Sequence, residues 1–422
     1  MIVGVSTFAG DIFSIIEEAF SGDRDMLRLF EPLQFGHMHV ENRFVHSATH
    51  DEMATEDGTP TDAMVTRYRR LAQGEIGLII TGMLYVHVLG RGFRHQAGIH
   101  EDAMIAGLRR IVEAVHREGG KIMFQLGHAG RQTHATLLGG QTPLAPSRTG
   151  RDPVNLVTPH AMTEAQIREV IQAFAHAARR AVEAGADGIQ LHAAHGYLIN
   201  QFLSPFFNRR MDSWGGSDNN RFRVLQEILQ AIKQTVPRGM PVFVKLNTHD
   251  YTPKEGMTPA LAAIYAGWLA ELHVDGIEVS CGTTSYSAMQ IFRGAVPVRE
   301  LVHAVPWWQK PVALWILTRM AGRFELREGY NLDAARLIKP RIGQVPLIVV
   351  GGFRRVPHME AIVEQGSADA LALCRPFIRE PHFVKRVRAG NTETASCVSC
   401  NRCAAAVANA IPVRCYHATF LA

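Results

Sequence analysis

One phrase recurs along the chain: an amphipathic stretch, a glycine or short polar link, then a short apolar run. It stands as VHREGGKIMFQL from Val115 to Leu126, VEAGADGIQLH from Val182 to His192, AELHVDGIEVS from Ala270 to Ser280 and VEQGSADALALC from Val363 to Cys374. Near-continuous apolar strands that follow glycine-stopped helices belong to a parallel sheet covered on its outside by helices. Further strands at Arg43 to Ser47, Ile76 to Thr81, Val242 to Leu246 and Pro346 to Val350 bring the count to eight. Eight such units predict an α/β fold, the closed (β/α)8 TIM barrel. Thr163 with Gln166 fits a capping box and Thr258 precedes Pro259, so helix starts fall where the repeat requires them. The expected organisation is one barrel over residues 26–390, an N-terminal extension over 1–25 and a Cys-rich tail over 391–422. Two stretches exceed a minimal barrel: Arg131 to Pro159, and Ser285 to Asn331 with its Trp307, Trp308 and Trp315. Both follow strands, so both are expected over the barrel mouth as pocket walls.

Composition narrows the function. The 422 residues, 47% hydrophobic, are enough for a large core. Lys and Arg total 44 against 39 acidic residues, and the excess is spread along the chain with no run suited to a phosphate backbone, which argues against nucleic acid. The N-terminal segment is partly apolar, but Asp11, Glu17 and Glu18 interrupt it and it lacks the basic start of a secretory signal. It reads as a short amphipathic helix or a disordered add-on. No run approaches the roughly twenty apolar residues of a membrane span. The reading is a soluble cytoplasmic protein that acts on a small molecule, with no nucleic-acid or membrane partner and with homo-oligomerisation open.

Chemistry concentrates in Leu191 to Pro205, LHAAHGYLINQFLSP, at the end of a predicted strand where such a barrel keeps its active site. His192 and His195 could both donate N–H bonds to one oxygen as negative charge develops on it. The Tyr197 phenol, with an ordinary pKa of about 10, stays protonated at neutral pH and can act as an acid. Lys245, also at a strand end, admits a non-redox alternative, a Schiff-base lyase. Of six cysteines, Cys281 and Cys374 are isolated, whereas Cys397, Cys400, Cys403 and Cys415 crowd the end of the chain. Their spacing suits a four-thiolate metal site, an iron-sulfur cluster or tetrahedral zinc, with ordinary buried thiols as the alternative.

The motif HAAHGYLINQFLSP, followed by NRRMDSWGGSDNNRFR at Asn208 to Arg223, resembles the signature of the old yellow enzyme family of FMN-dependent oxidoreductases. The resemblance extends through LFEPLQFGHMHVENRF from Leu29, GEIGLIITG at Gly74 to Gly82, FQLGHAGRQ at Phe124 to Gln132, and the late VGGF and LCRPFIREP. It implies that FMN is held by Ser47, Ala48, Thr49, Gly82 and Gln125 around the ring, with Lys245 supplying a cation where many relatives carry arginine. Gly351, Gly352, Cys374 and Arg375 correspond to the phosphate site, where relatives have glycine in place of Cys374. His50 stands beside the flavin edge, where relatives carry threonine or cysteine. The implied activity is NAD(P)H-driven reduction of an activated C=C bond, with the substrate carbonyl between His192 and His195 and the proton from Tyr197. The alternative is an oxidative member, an amine or saturated-carbonyl dehydrogenase or demethylase. The tail resembles the [4Fe-4S] segment of the dienoyl-CoA reductase type, with one residue fewer between the second and third cysteines. A cluster there would be structural or serve an external electron-transfer partner.

Overall fold

The computed structural model describes residues 27–390 and 394–418; the expected N-terminal extension lies outside the described residues. The strands are β1 (Phe44–His46), β2 (Leu78–Ile80), β3 (Ile122–Gly127), β4 (Gly188–Ala193), β5 (Val242–Asn247), β6 (Gly276–Ser280), β7 (Leu347–Val350) and β8 (Ala370–Leu373). All pair in parallel in chain order, β8 pairs with β1, and β2 pairs with β3 through Ile79↔Ile122 and Ile80↔Met123. The sheet therefore closes, and the (β/α)8 barrel expected from the repeat is what the chain forms. Leu84–Tyr85 adds a short extra strand beside β3.

The outer helices are α1 (Asp62–Gln73), α2 (Met104–His116), α3 (Glu164–Ala184), α4 (Asp218–Thr235), α5 (Pro259–Glu271), α6 (Leu332–Ile338), α7 (Val356–Glu364) and α8 (Phe383–Arg388). Helix α3 starts on the expected Thr163/Gln166 capping box and ends at Gly185 in the left-handed conformation; α5 starts on Thr258 with Pro259 in its first turn. Their apolar stripes pack on the outer strand residues, such as Ile79, Phe124, Ile189, Val244 and Ile277, in one continuous core.

The barrel interior divides along its axis. At the N-terminal end Val45, Leu78, Ile80, Met123, Phe243, Ile348, Ala370 and Ala372 fill it, and an antiparallel hairpin, Leu33–Phe35 with Met38–Val40, closes it from below. Phe35 packs on Phe243 with ring centroids 4.9 Å apart. Strand side chains alternate, so the next inward position on each strand lies two residues on, toward the C-terminal mouth. Those positions are Ser47, Gly82, Gln125, Lys245 and Cys374 on the strands just named, all of them residues that the resemblance assigned to the flavin.

Candidate active site

The polar half of the barrel is a connected network. In register, Lys245 on β5 faces Glu278 on β6 and His192 on β4. Lys245 Nζ lies 3.1 Å from Glu278 Oε1 and donates to Ser47 Oγ at 2.8 Å. The Ser47 hydroxyl donates to the same carboxylate oxygen at 2.6 Å. The second carboxylate oxygen accepts from Gln190 Nε2 at 2.8 Å, and Gln190 Oε1 accepts from Gln125 Nε2 at 2.7 Å. All five side chains are buried. An ion pair taken out of water survives only with its remaining hydrogen bonds made, and here they are. Lys245 Nζ is tied to the Glu278 carboxylate and the Ser47 hydroxyl inside this network, a placement that does not suit the Schiff-base alternative.

Above this layer three rings converge. His192 ends β4, its ring centroid 5.0 Å from that of His195 and 4.8 Å from that of Tyr197, both in edge-to-face arrangements. His195 adopts a left-handed φ of 63°, which a histidine tolerates only where its surroundings fix it. Its amide donates to Asn247 Oδ1 at 3.3 Å, its carbonyl accepts from Thr284 N–H at 3.0 Å, and its Nε2 lies 2.7 Å from Ser280 Oγ. Tyr197 caps the helix Leu198–Leu203 and packs with Met83 and Ala129. Burial holds both imidazoles well below the usual histidine range, and the Lys245 charge adds to the effect. They are neutral at pH 7, each with one N–H to donate. Burial also raises the Tyr197 phenol, which keeps its proton.

Around this centre the remaining expected residues have defined places. The Thr49 hydroxyl lies 2.9 Å from both the Ser47 carbonyl and Cys374 Sγ, with Ala48 partly buried between. His50 turns toward Glu52, 3.0 Å away, and stacks on Phe93 at 4.2 Å. The Gly82 amide donates to Tyr68 Oη at 3.0 Å, and a Cβ there would meet the Thr49 carbonyl at 2.7 Å, so only glycine lets β2 pass the β1 loop. At the other end, Gly352 has a φ of 73°, and the N–H groups of Gly352 and Phe353 have no acceptor among the described residues. Arg375 donates to Asn401 Oδ1 at 2.5 Å and to the Arg293 carbonyl at 2.8 Å, leaving guanidinium donors over. Unpartnered amides on a positive-φ turn beside a guanidinium fit a phosphate dianion. Lys245 and Gln125 fit the polar edge of an isoalloxazine ring. The residues present therefore suit FMN.

Sequence reasoning passed over Gln190, Asn247, Glu278 and Ser280. Gln190 and Glu278 each stand between two apolar residues of a buried strand, and Asn247 and Ser280 close β5 and β6, the signal that could have marked them. Both insertions reach the site. Arg131 is buried on Asp152, and Ser285 Oγ donates to the same Asp152 carboxylate at 2.7 Å, which ties the first insertion to the second.

The Cys-rich tail, expected as a metal site, shows no such arrangement among the described residues. Among the described residues no three His, Cys, Asp or Glu side chains converge as a metal site, and Cys397, Cys400, Cys403 and Cys415 are free thiols. Cys403 is instead drawn into a small apolar cluster with Ile378, Ala406, Val407, Ile411 and Val413, where burial pushes its thiol up to about 12. The tail acts as a clamp. Asn401 Nδ2 donates to the Phe292 and Ala295 carbonyls, Arg402 pairs with Glu300, and the Val413 amide donates to the Asp51 carbonyl beside the β1 loop.

Buried neutral histidines make an acid-sensitive fold. Burial lowers His46 and His128 to about 3, and His192 and His195 well below their usual range. Below about pH 6.5 the unfolded chain takes up protons that these four sites refuse, at up to about 1.4 kcal/mol per group and pH unit. The buried Asp51 and Asp250 and the partly buried Asp275, pushed up by burial, oppose this by binding protons in the fold first, but burial also lowers His100 and His249, so the histidines outnumber the carboxyls. The expected result is a lower urea midpoint at pH 5 than at pH 7; an equal or higher midpoint at pH 5 would contradict it.

The chain matches the NADH:flavin oxidoreductase / NADH oxidase family over residues 28–299. It is 37% identical to an NADPH dehydrogenase of Geobacillus, an alignment covering 84% of this chain and 92% of that one. It is 33% identical to the NADH oxidase of Thermoanaerobacter brockii over 88% of this chain, and it spans only about half, 52%, of that relative. Among solved structures it is similar to 2-naphthoyl-CoA reductase, with a TM-score of 0.80 and 26% identity over 92% of this chain and 56% of that one. Morphinone reductase aligns with a TM-score of 0.68 and 26% identity over 87% of this chain and 92% of its own. With the barrel and these relatives in agreement, the chain belongs to the NADH:flavin oxidoreductase / NADH oxidase family and is an FMN-dependent NAD(P)H oxidoreductase of the old yellow enzyme kind.

Proposed function

We propose that the protein reduces the C=C bond of an α,β-unsaturated carbonyl compound. The observation that carries this reading is the convergence of His192, His195 and Tyr197 above the Lys245–Glu278 layer. FMN, when bound, supplies hydride chemistry from its ring. The protein side of the reaction is then positioning and protonation. His192 and His195, both neutral, hold the substrate carbonyl oxygen by two N–H bonds that strengthen as charge gathers there. Ser280 and Asn247 keep His195 in its strained turn, so its ring does not reorganise during the reaction. Tyr197 gives its proton to the carbon next to the carbonyl as the β-carbon is reduced. The two insertions, joined through Asp152 and Ser285, wall the substrate side.

The oxidative alternative would use the same pocket with an amine or a saturated carbonyl compound as the electron source, so the two readings part on which compound exchanges electrons with the flavin. The test is anaerobic: one portion of the yellow holoprotein is bleached with NADH or NADPH and then mixed with 2-cyclohexenone, and a second, still oxidised portion is mixed with dimethylamine. Return of colour on the enone, with saturated ketone formed one for one, is the expected result. Bleaching by the amine together with inertness toward enones would replace this reading with the oxidative one.

A further inference from the structure

The insertion after β6 carries a helix that the rest of the described molecule leaves uncovered. Lys310–Met320, KPVALWILTRM, contains no buried residue, and Trp307, Trp308 and Trp315 are 81%, 60% and 59% exposed. Val312, Leu314 and Ile316 are exposed beside them. Isolated surface hydrophobics need no explanation, but a contiguous group of three indoles and three aliphatic side chains marks a contact surface.

Charge identifies the occupant. From Leu301 to Phe324 the sequence holds no acidic residue, while Lys310, Arg319 and Arg323 are cationic. The acid that precedes this stretch, Glu300, is buried and paired with Arg402. Arg319 lies over the Trp315 ring, 4.3 Å from its centroid, so cation and indole occupy one surface. Tryptophan beside Lys and Arg on an apolar helix suits the boundary between lipid headgroups and acyl chains. A second copy meeting this patch about a two-fold axis would set the three cations near their own counterparts, with the exposed Glu325 as the one acid at the edge of the stretch.

We propose that the face built by Trp307, Trp308 and the Lys310–Met320 helix docks on an anionic lipid bilayer. The helix lies in the plane of the surface, with its indoles at the headgroup level and Lys310, Arg319 and Arg323 on lipid phosphates. The absence of a membrane partner expected from the sequence rested on the lack of a spanning run. Among the described residues no helix is long and apolar enough to cross a membrane; lying on one is a different demand.

The test uses the full-length holoprotein and vesicles of phosphatidylcholine, pure or with phosphatidylglycerol at 30 mol % (about a third of the lipid) to supply negative charge. Expected are co-sedimentation with the anionic vesicles only, and a blue shift of tryptophan emission on binding. The triple variant Lys310→Glu, Arg319→Glu, Arg323→Glu should weaken binding by about a hundredfold. Trp307→Ser, Trp308→Ser and Trp315→Ser combined should abolish the emission shift, while both variants keep their flavin absorbance. No binding to either vesicle, or equal binding to both, overturns the proposal. So does a solution dimer, lost in the tryptophan variant, from a protein that ignores vesicles; that result would assign the face to a second copy.

Discussion

Tyr197→Phe is expected to slow reoxidation by an enone about 10²- to 10⁴-fold, the usual contribution of a positioned general acid, while bleaching by NAD(P)H changes by less than about twofold. The split follows from geometry. The phenol is buried, keeps its proton and stacks edge-on against His192, so removing its oxygen leaves the ring, its packing on Met83 and the helix cap in place. What disappears is a proton source at one face of the substrate. Stopped-flow absorbance of the flavin measures both half-reactions in one preparation. Equal slowing of both would mean that Tyr197 shapes the pocket without supplying the proton, and no slowing would assign protonation to water.

Glu278→Ala should have the largest effect on the fold. It removes the counter-ion of a fully buried lysine and leaves Gln190 and Ser47 without an acceptor in the same step. Breaking one side of such a pair costs about 3–5 kcal/mol, because the remaining charge stays out of water. Lys245→Met combined with Glu278→Ala should recover part of that loss, since a buried pair replaced by apolar side chains is often near neutral. Urea unfolding of wild type, both single variants and the double variant gives the coupling directly. A loss under about 1 kcal/mol for Glu278→Ala would show that water reaches the pair and screens it.

The repeat of helix, glycine and apolar run was enough to read the barrel, because the closed sheet demands that pattern on every unit. His192, His195 and Tyr197 were legible for the same reason: a polar cluster straight after a buried strand has few places to go. Glu278 and Gln190 were not, since each stands alone among apolar neighbours and its partners come from other strands, a relation set only by barrel register. The tail cysteines are a different case. Their spacing resembled a ligand set, yet spacing says nothing about direction, and the Arg402–Ala408 helix draws Cys403 into apolar packing. Arg375 was assigned to phosphate, and its contacts with Asn401 and Arg293 were invisible because they join segments far apart in the chain.

That last contact bears on how such enzymes can be redesigned. The loop beyond β6 is an obvious place to alter substrate preference, but its carbonyls at Phe292, Arg293 and Ala295 are gripped by Asn401 and Arg375. A chimera that imports this loop from a relative would tear the seam unless the matching C-terminal residues travelled with it. The two segments form one cassette, to be exchanged together although about a hundred positions separate them in the polypeptide.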